Sequence, residues 1–355
     1  MFQSDDNNKN QLEMSMKKII TTLAASVLAT TIATSSIAAD RYPERDITNV
    51  VVWSAGGGTD VVNRMISAEM AKDLDVNINV TNRPGGVAGS LGMSYVHNKK
   101  ADGYTLVGLS ESVVGSAVQG GWDQKMNVWY PFIVGGSPDL ISVSADSKYS
   151  TLQDLIADVK KNPRSIKASA GGAGSIHHLN LLALMNGTGA EFNYIPYPGS
   201  APAQTAAMTG EVELVITSLA EQQQLIKGGQ LKPLAMLVAN DQKLEGYGTI
   251  PSAFTAFPSL DKYLPIMQAI GLAVKQDAPD NVKAKLTKAF MSAMASPVIH
   301  KWANDNYYVL SGLSGEAASK EFAFLESLFS WTLQDLGAAK VMPSKLGIPK
   351  VSELK

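Results

Sequence analysis

The stretch from Val50 to Arg64, Val-Val-Val-Trp-Ser-Ala-Gly-Gly-Gly-Thr-Asp-Val-Val-Asn-Arg, restricts the fold of this chain more than any other. An apolar run stops at three glycines and restarts as a helix, with Thr59 or Asp60 as the expected cap. That is a strand, a bare-backbone loop and a helix N-terminus in succession. Glycines let a loop bring its N–H groups close to a guest, and the unpaired N–H groups of a first helical turn favour an anion. Such a joint suits a carboxylate or a phosphate.

The pattern around it repeats. Strands at Thr48–Trp53, Val76–Thr81 and Thr105–Leu109 alternate with helices at Asp60–Leu74 and Ala88–Asn98, the first carrying Val62, Met65, Ile66, Met70 and Leu74 on one stripe. Alternation with short links predicts an α/β fold with a parallel sheet covered on both faces. Ligands of such sheets sit beyond the carboxyl ends of the strands, where Gly56–Thr59 and Ser110 fall. A second unit follows Ser137-Pro138-Asp139: a strand at Leu140–Ala145, a capping box at Thr151–Asp154, a strand at Ile166–Ser169, and a glycine loop at Ala170–Ser175 opening a helix at Ile176. Strands at Phe192–Ile195, Leu214–Thr217 and Leu231–Val238 alternate with helices at Ala201–Thr209 and Glu221–Lys227. The tail from Asp280 to Leu336 is expected to be mainly helical and to pack on the first domain.

The first segment decides the compartment. Lys17-Lys18 precede the uncharged run Ile19–Ala39, which ends in Ser36-Ile37-Ala38-Ala39, so residues 1–39 read as a leader and cleaved signal peptide rather than a membrane anchor. With Cys at 0, the chain has no disulfide, lipid-anchoring cysteine, thiolate metal site or cysteine nucleophile. A formal net charge of -2 points to neither nucleic acid nor anionic membrane as partner. Residues 40–355 then exceed one ordinary core and suit two domains.

Gly56-Gly57-Gly58-Thr59-Asp60 lacks the Lys-Ser/Thr pair of a P-loop and the spacing of a dinucleotide fingerprint. No cofactor is expected. Asp60 reads first as a cap, because a carboxylate repels an anionic guest. Asn82-Arg83-Pro84-Gly85 reads first as a turn into a helix. Ser175 with His178 invites a hydrolase reading, but no orienting acid and no nucleophile elbow accompany them. Ser175 is better read as an N-cap presenting its hydroxyl and neighbouring N–H groups. His177 and His178 point in different directions on a helix, and His97 and His300 lie apart, so no metal site is expected. Tyr197, in the turn Ile195–Pro202, offers a hydroxyl to the cleft or a wedge between strand and helix, and Trp53 floors a pocket or fills a core.

These residues together resemble a known family, the periplasmic solute-binding proteins of tripartite tricarboxylate transporters, also called Bug or TctC-like proteins. The resemblance runs from Tyr42 to Leu346 and rests on Tyr42-Pro43, Ser54–Asp60, Asn82–Gly85, Ala101–Leu106, Gly172–Ser175 with His178-Leu179, Pro196-Tyr197 with Gly199 and Pro202-Ala203, Gly210–Glu213 and Gly228–Ala235. It implies the type II periplasmic-binding-protein fold, a flytrap of two mostly parallel sheets flanked by helices. Domain 1 would comprise 41–142 and 266–355, with domain 2, residues 143–265, inserted in it. It further implies a ligand carboxylate held between Ser54, Ala55, Gly57, Gly58, Thr59 and Asp60 on one side and Gly172, Ala173, Gly174 and Ser175 on the other. His178 would stand behind the second loop. Beside what the resemblance implies, Ser110, Tyr197, Thr217 and Ser218 are the further expected site residues. Trp53, Pro198 and Gly86–Ser90 depart from the family pattern and bear on ligand size and identity.

The expected function is capture of a small organic carboxylate and its delivery to transporter membrane subunits by a monomer in the periplasm, without chemistry on the ligand. The rivals are a sensory adaptor for a membrane receptor and a periplasmic hydrolase using Ser175.

Overall fold

Strand β1 (Ile47–Val51) buries Ile47, Val50 and Val51 and leads through the glycine loop into helix α1 (Gly58–Leu74). The structure is a computed structural model that describes residues 41–354 apart from 263, 265 and 266; the expected signal peptide, 1–39, lies outside the described residues. Val62, Ile66, Met70 and Leu74 of α1 face inward, with Met65 half-buried beside them. The helix starts earlier than expected: extended Gly57 is its N-cap and no side chain caps it, so neither Thr59 nor Asp60 has that role. Strands β2 (Ile78–Asn82) and β3 (Thr105–Ser110) flank β1 in parallel, with α2 (Ser90–His97) between them in the chain.

After β4 (Trp129–Gly136) the chain crosses at Ser137-Pro138 and opens a second sheet with β5 (Asp139–Ser144). Helix α3 (Leu152–Lys161) follows, capped by Thr151, whose hydroxyl accepts the Asp154 N–H at 3.1 Å. The unit continues through β6 (Lys167–Ser169), α4 (Ile176–Thr188), β7 (Asn193–Tyr194), α5 (Ser200–Met208), β8 (Leu214–Ser218), α6 (Leu219–Lys227) and β9 (Leu231–Met236). A small antiparallel pair, β10 (Gln242–Leu244) and β11 (Gly248–Ile250), and a short helix α7 (Ala253–Ala256) precede the return. The chain ends with β12 (Ile270–Lys275), α8 (Asp280–Met294), α9 (Pro297–Asp305), β13 (Val309–Ser314) and α10 (Gly315–Asp335).

The first sheet has six strands in the order β13-β4-β12-β3-β1-β2 and the second five, β7-β6-β8-β5-β9. The two-sheet α/β class stands, but the sheets are mixed rather than mostly parallel. β12 runs antiparallel to β3 and β4, β13 to β4, and β5 to both β8 and β9. The reason lies in the connections. Helical crossovers force parallel neighbours, whereas β5 and β12 enter their sheets directly from the other one, which imposes no direction. Residues 139–142 pair in the second sheet, so the expected border at 142 falls within β5. The tail is mainly helical, as expected, in α8, α9 and α10, and also contains β13, an edge strand broken by a register shift.

Phe322, Leu325, Phe329 and Leu333 of α10 close the first core over Val107, Leu109, Val113 and Trp129. The second core gathers Ile141, Val143, Leu155, Val159, Leu181, Leu184, Leu214 and Ile216. Ile176 and Leu179, at the start of α4, pack into the first core, and this draws the second glycine loop against the first sheet. A buried polar network fixes the other loop. Asn49 Nδ2 donates to Asn63 Oδ1 at 2.8 Å and Ser67 Oγ at 3.2 Å, while Asn63 Nδ2 donates to the carbonyls of Thr59 at 2.8 Å and Gly271 at 3.0 Å. The first turn of α1 is thereby tied to the sheet beneath it.

Glu326 of α10 is buried and accepts the Met126 N–H at 3.0 Å. Burial raises its pKa from 4.5 to about 7, against smaller opposing effects of that bond and of Lys125. Its folded value lies above its unfolded one, so its stabilising contribution is present at low pH and lost as pH rises through about 7. Glu326→Gln is expected to be nearly neutral at pH 4 and to stabilise the fold by up to about 3 kcal/mol at pH 8, read from urea midpoints. Equal midpoint changes at the two pH values would refute a buried, uncharged Glu326.

Candidate functional site

The glycine loop after β1 and the one after β6 face each other across a cleft. It is lined by Trp53, Gly57, Gly58, Thr59, Ser110, Glu111, Ser112, Gly171, Gly172, Ser175, His177, Gly199, Ser200, Glu221 and Gln268. The cavity between them measures about 20 Å³, room for about one water molecule. Bonds between the two sides hold it narrow: Ser54 Oγ donates to the Pro198 carbonyl at 2.9 Å, Ala88 N–H to the Ala173 carbonyl at 3.2 Å, and Ile176 N–H to Ser112 Oγ at 3.0 Å. Close packing at Gly172 depends on its missing side chain, since a Cβ there would lie 2.8 Å from the Trp53 ring.

Of the residues singled out from the sequence, Gly57, Gly58, Thr59, Ser110, Gly172 and Ser175 line the cleft. The others do not, each for a local reason. Ser54 is spent on Pro198, and Ala55 is exposed. Asp60 is buried, accepting from Gly56 N–H at 2.9 Å, Asn82 Nδ2 at 2.8 Å and Arg64 Nε at 3.1 Å. Burial pushes the Asp60 pKa up, but Arg64, Gly56 and Asn82 together outweigh it and hold the carboxyl below its usual value. It shapes the loop from behind. Ala173 gives its carbonyl to Ala88, and the Gly174 N–H donates to His178 Nδ1 at 3.2 Å. His178 stacks on Tyr194 with ring centroids 4.1 Å apart, and burial lowers its pKa to about 4. Tyr197 packs against the apolar cluster of Leu140, Ala203 and Ile226, and Thr217 Oγ1 accepts from Gln204 Nε2 at 2.8 Å. Ser218 caps α6 in a capping box with Glu221.

That box positions a residue outside the expected site, although Ser218-Leu219-Ala220-Glu221 carries the spacing of a capping box. Glu221 Oε2 accepts from the Ser218 N–H at 2.9 Å and Ser218 Oγ at 2.8 Å, while its Oε1 reaches across the cleft to accept the Gly58 N–H at 2.7 Å. A carboxylate of the second sheet's unit thus occupies the start of α1, the place the glycine loop suits for an anion. Gly58 must be glycine for this approach, because a Cβ there would lie 2.9 Å from Glu221 Oε1 and 3.1 Å from the Tyr308 hydroxyl.

His177, rather than its neighbour His178, faces the cleft. Adjacent helical residues point about 100° apart, so the docking of α4 selects between them. Its Nδ1 lies 2.8 Å from Asp139 Oδ2, and its Nε2 lies 3.3 Å from Ser200 Oγ and 3.6 Å from Glu221 Oε2. Burial alone would lower its pKa, but Asp139, Glu221 and Glu111 outweigh it and raise it to about 9. Ser200, His177 and Asp139 stand in the order of a hydrolytic triad, yet an imidazole charged at neutral pH donates to Ser200 and does not serve as its base. Ser175 is held otherwise: its Oγ donates to the Ala170 carbonyl at 3.0 Å and accepts the His178 N–H at 3.3 Å. Glu111 is buried, accepting from Ser112 Oγ at 2.7 Å and the Ala269 N–H at 2.5 Å. Burial raises its pKa against the lowering effect of these bonds and of His177.

The profile of the Tripartite tricarboxylate transporter family receptor matches residues 62–312. Protein BugT of Bordetella pertussis is 31% identical over 232 residues, covering 63% of this chain and 70% of its own. A solved R. palustris protein with adipate superposes with a TM-score of 0.73 at 23% identity, covering 84% of this chain and 99% of that one. MatC from Rhodopseudomonas palustris with bound malate does so with a TM-score of 0.70 at 22% identity, covering 83% and 98%. The two structures share the fold, and the profile match spans most of the sequence; this chain belongs to the tripartite tricarboxylate transporter receptor family.

Proposed function

We propose that the protein is a periplasmic solute-binding receptor that captures a small organic carboxylate in this cleft and delivers it to the membrane subunits of a tripartite tricarboxylate transporter. The observation that carries this reading is the meeting of two glycine loops, each opening a helix of a different sheet's unit, across one cavity. Gly57, Thr59, Ser110, Gly172 and Ser175 would surround the carboxylate. The adipate and malate held by the two R. palustris proteins support an acid as guest.

A cavity of about 20 Å³ admits no organic acid unless its walls part. The walls would belong to two lobes, one built on each sheet, joined by Ser137-Pro138 and by the return before β12. Opening at these joints and closing on a ligand that both lobes touch would be the change the membrane subunits read. The ligand would leave unaltered, since the Ser175 hydroxyl donates to the Ala170 carbonyl and the imidazole beside Ser200 is charged. The protein would be exported with cleavage near Ala39 and act as a monomer.

A thermal-shift series with small carboxylic acids and their amides tests the reading. An acid that binds only the native state adds about 2.7 kcal/mol of stability at a hundred times its Kd, and its amide adds none. Shifts from the amides alone, or from no acid, would overturn it.

A further inference from the structure

We infer that the guest is a zwitterion, an organic acid that also carries a positively charged nitrogen, and that Glu221 and Glu111 hold that nitrogen. This deepens, and rests on, the reading of the cleft as a carboxylate site.

The charges lining the cleft carry the argument. Its ionisable residues are Glu111, His177 and Glu221, and no lysine or arginine is among the described residues that line it. The His177 charge is matched by Asp139, whose Oδ2 lies 2.8 Å from Nδ1. The same imidazolium also serves Glu221, whose Oε2 lies 3.6 Å from Nε2, and acts on Glu111, so one cation is shared among three acidic side chains. The oxygens of the two glutamates are hydrogen-bonded, Glu221 to Gly58 and Ser218 and Glu111 to Ser112 and Ala269, but each of those partners is neutral. A hydrogen-bonded carboxylate keeps free lone pairs, and in a narrow cleft its field is poorly screened. A plain dicarboxylate drawn in there brings two negative charges toward acidic side chains that already share a single cation. An ammonium or quaternary nitrogen on the same acid supplies the missing countercharge, while the acid's own carboxylate turns to the glycine-loop N–H groups.

The two carboxylates also come from different lobes, Glu111 after β3 and Glu221 in α6. A cation between them would be touched from both sides, which favours the closed arrangement over the open one. Glu221 already spans the gap to Gly58, so a ligand that leaves this bond intact closes the cleft at least cost.

The test is calorimetric titration of the purified protein at pH 7 with two matched series: propionate, succinate and adipate, against alanine, aspartate and 2-aminoadipate. The amino acids are expected to bind at least tenfold more tightly than their plain counterparts. Glu221→Gln keeps the size of the side chain and one of its two acceptor oxygens but removes its charge, and should cut that preference to about threefold or less. Glu111→Gln provides the same measurement should the first variant fold poorly, judged by thermal midpoint. Plain acids binding as tightly as the amino acids would overturn the inference and leave the carboxylate reading standing. A preference that survives in both variants would overturn the assignment to these two residues. Binding by neither series would overturn the carboxylate reading and the inference together.

Discussion

Replacing His177 with alanine is expected to lower the unfolding free energy by about 3–5 kcal/mol at pH 7, the range found when one member of a buried ion pair is removed. Asp139 is buried, and its Oδ2 would keep only the Asn180 amide, 2.7 Å away, while its charge lost its counter-ion. Glu221 and Glu111 would lose the same neighbouring charge. The effect depends on pH with a definite sign. The imidazole pKa is about 9 in the fold against 6.5 unperturbed, so its contribution is complete below pH 6.5 and is lost as pH rises through 9. The gap between wild type and variant, read from urea midpoints, should therefore narrow across that window by about 3 kcal/mol. A gap that stays constant from pH 6 to pH 10 would mean that the buried imidazole is neutral and that the cleft carries more negative charge still.

The Gly58→Leu variant should lose ligand binding without losing its fold. Gly58 opens α1 in the first helical turn, where leucine is well tolerated by the backbone. Its Cβ, however, would point at Glu221 Oε1, 2.9 Å away, and the rest of the side chain would fill the cleft. Glu221 has little freedom to withdraw, because its other oxygen is fixed by both donors of Ser218. Overpacking of this kind costs about 1–3 kcal/mol, and here the penalty falls on the closed state alone. Affinity for the acid giving the largest thermal shift should fall by about one to two orders of magnitude, with the ligand-free melting temperature nearly unchanged. Undiminished affinity would show that the ligand binds elsewhere than between these loops.

Much of this architecture was legible in local patterns. The glycine joint after β1, the stripe of α1, the Thr151 cap and the second glycine loop with Ser175 as cap all appear where the sequence predicts them, although the Thr151–Asp154 box is formed only by the Thr151 hydroxyl. Each is a short-range statement, about which backbone angles a residue tolerates, which side chain caps a turn, or which face of a helix is apolar. Gly57, Gly58, Thr59, Gly172 and Ser175 were legible as cleft-lining residues for the same reason, because local backbone position places each of them. Strands β4, β12 and β13 were not recognised. Two of them are short apolar runs that read equally well as buried helix, and the third is an edge strand with weak alternation.

The electrostatics of the cleft were decided by the tertiary structure alone. Glu111, Asp139, His177 and Glu221 come from four separate elements, and although Ser218 and Glu221 have the spacing of a capping box, nothing in the sequence brings these four side chains together. They meet because α4 docks its first turn into the first core, which turns His177 inward and leaves His178 against Tyr194. A glycine loop is specified by its own backbone and can be read from its own residues. A buried charge cluster is specified by which elements pack together, and its consequences, a protonated histidine and a cleft of net negative charge, follow only once burial has removed the water that would screen them.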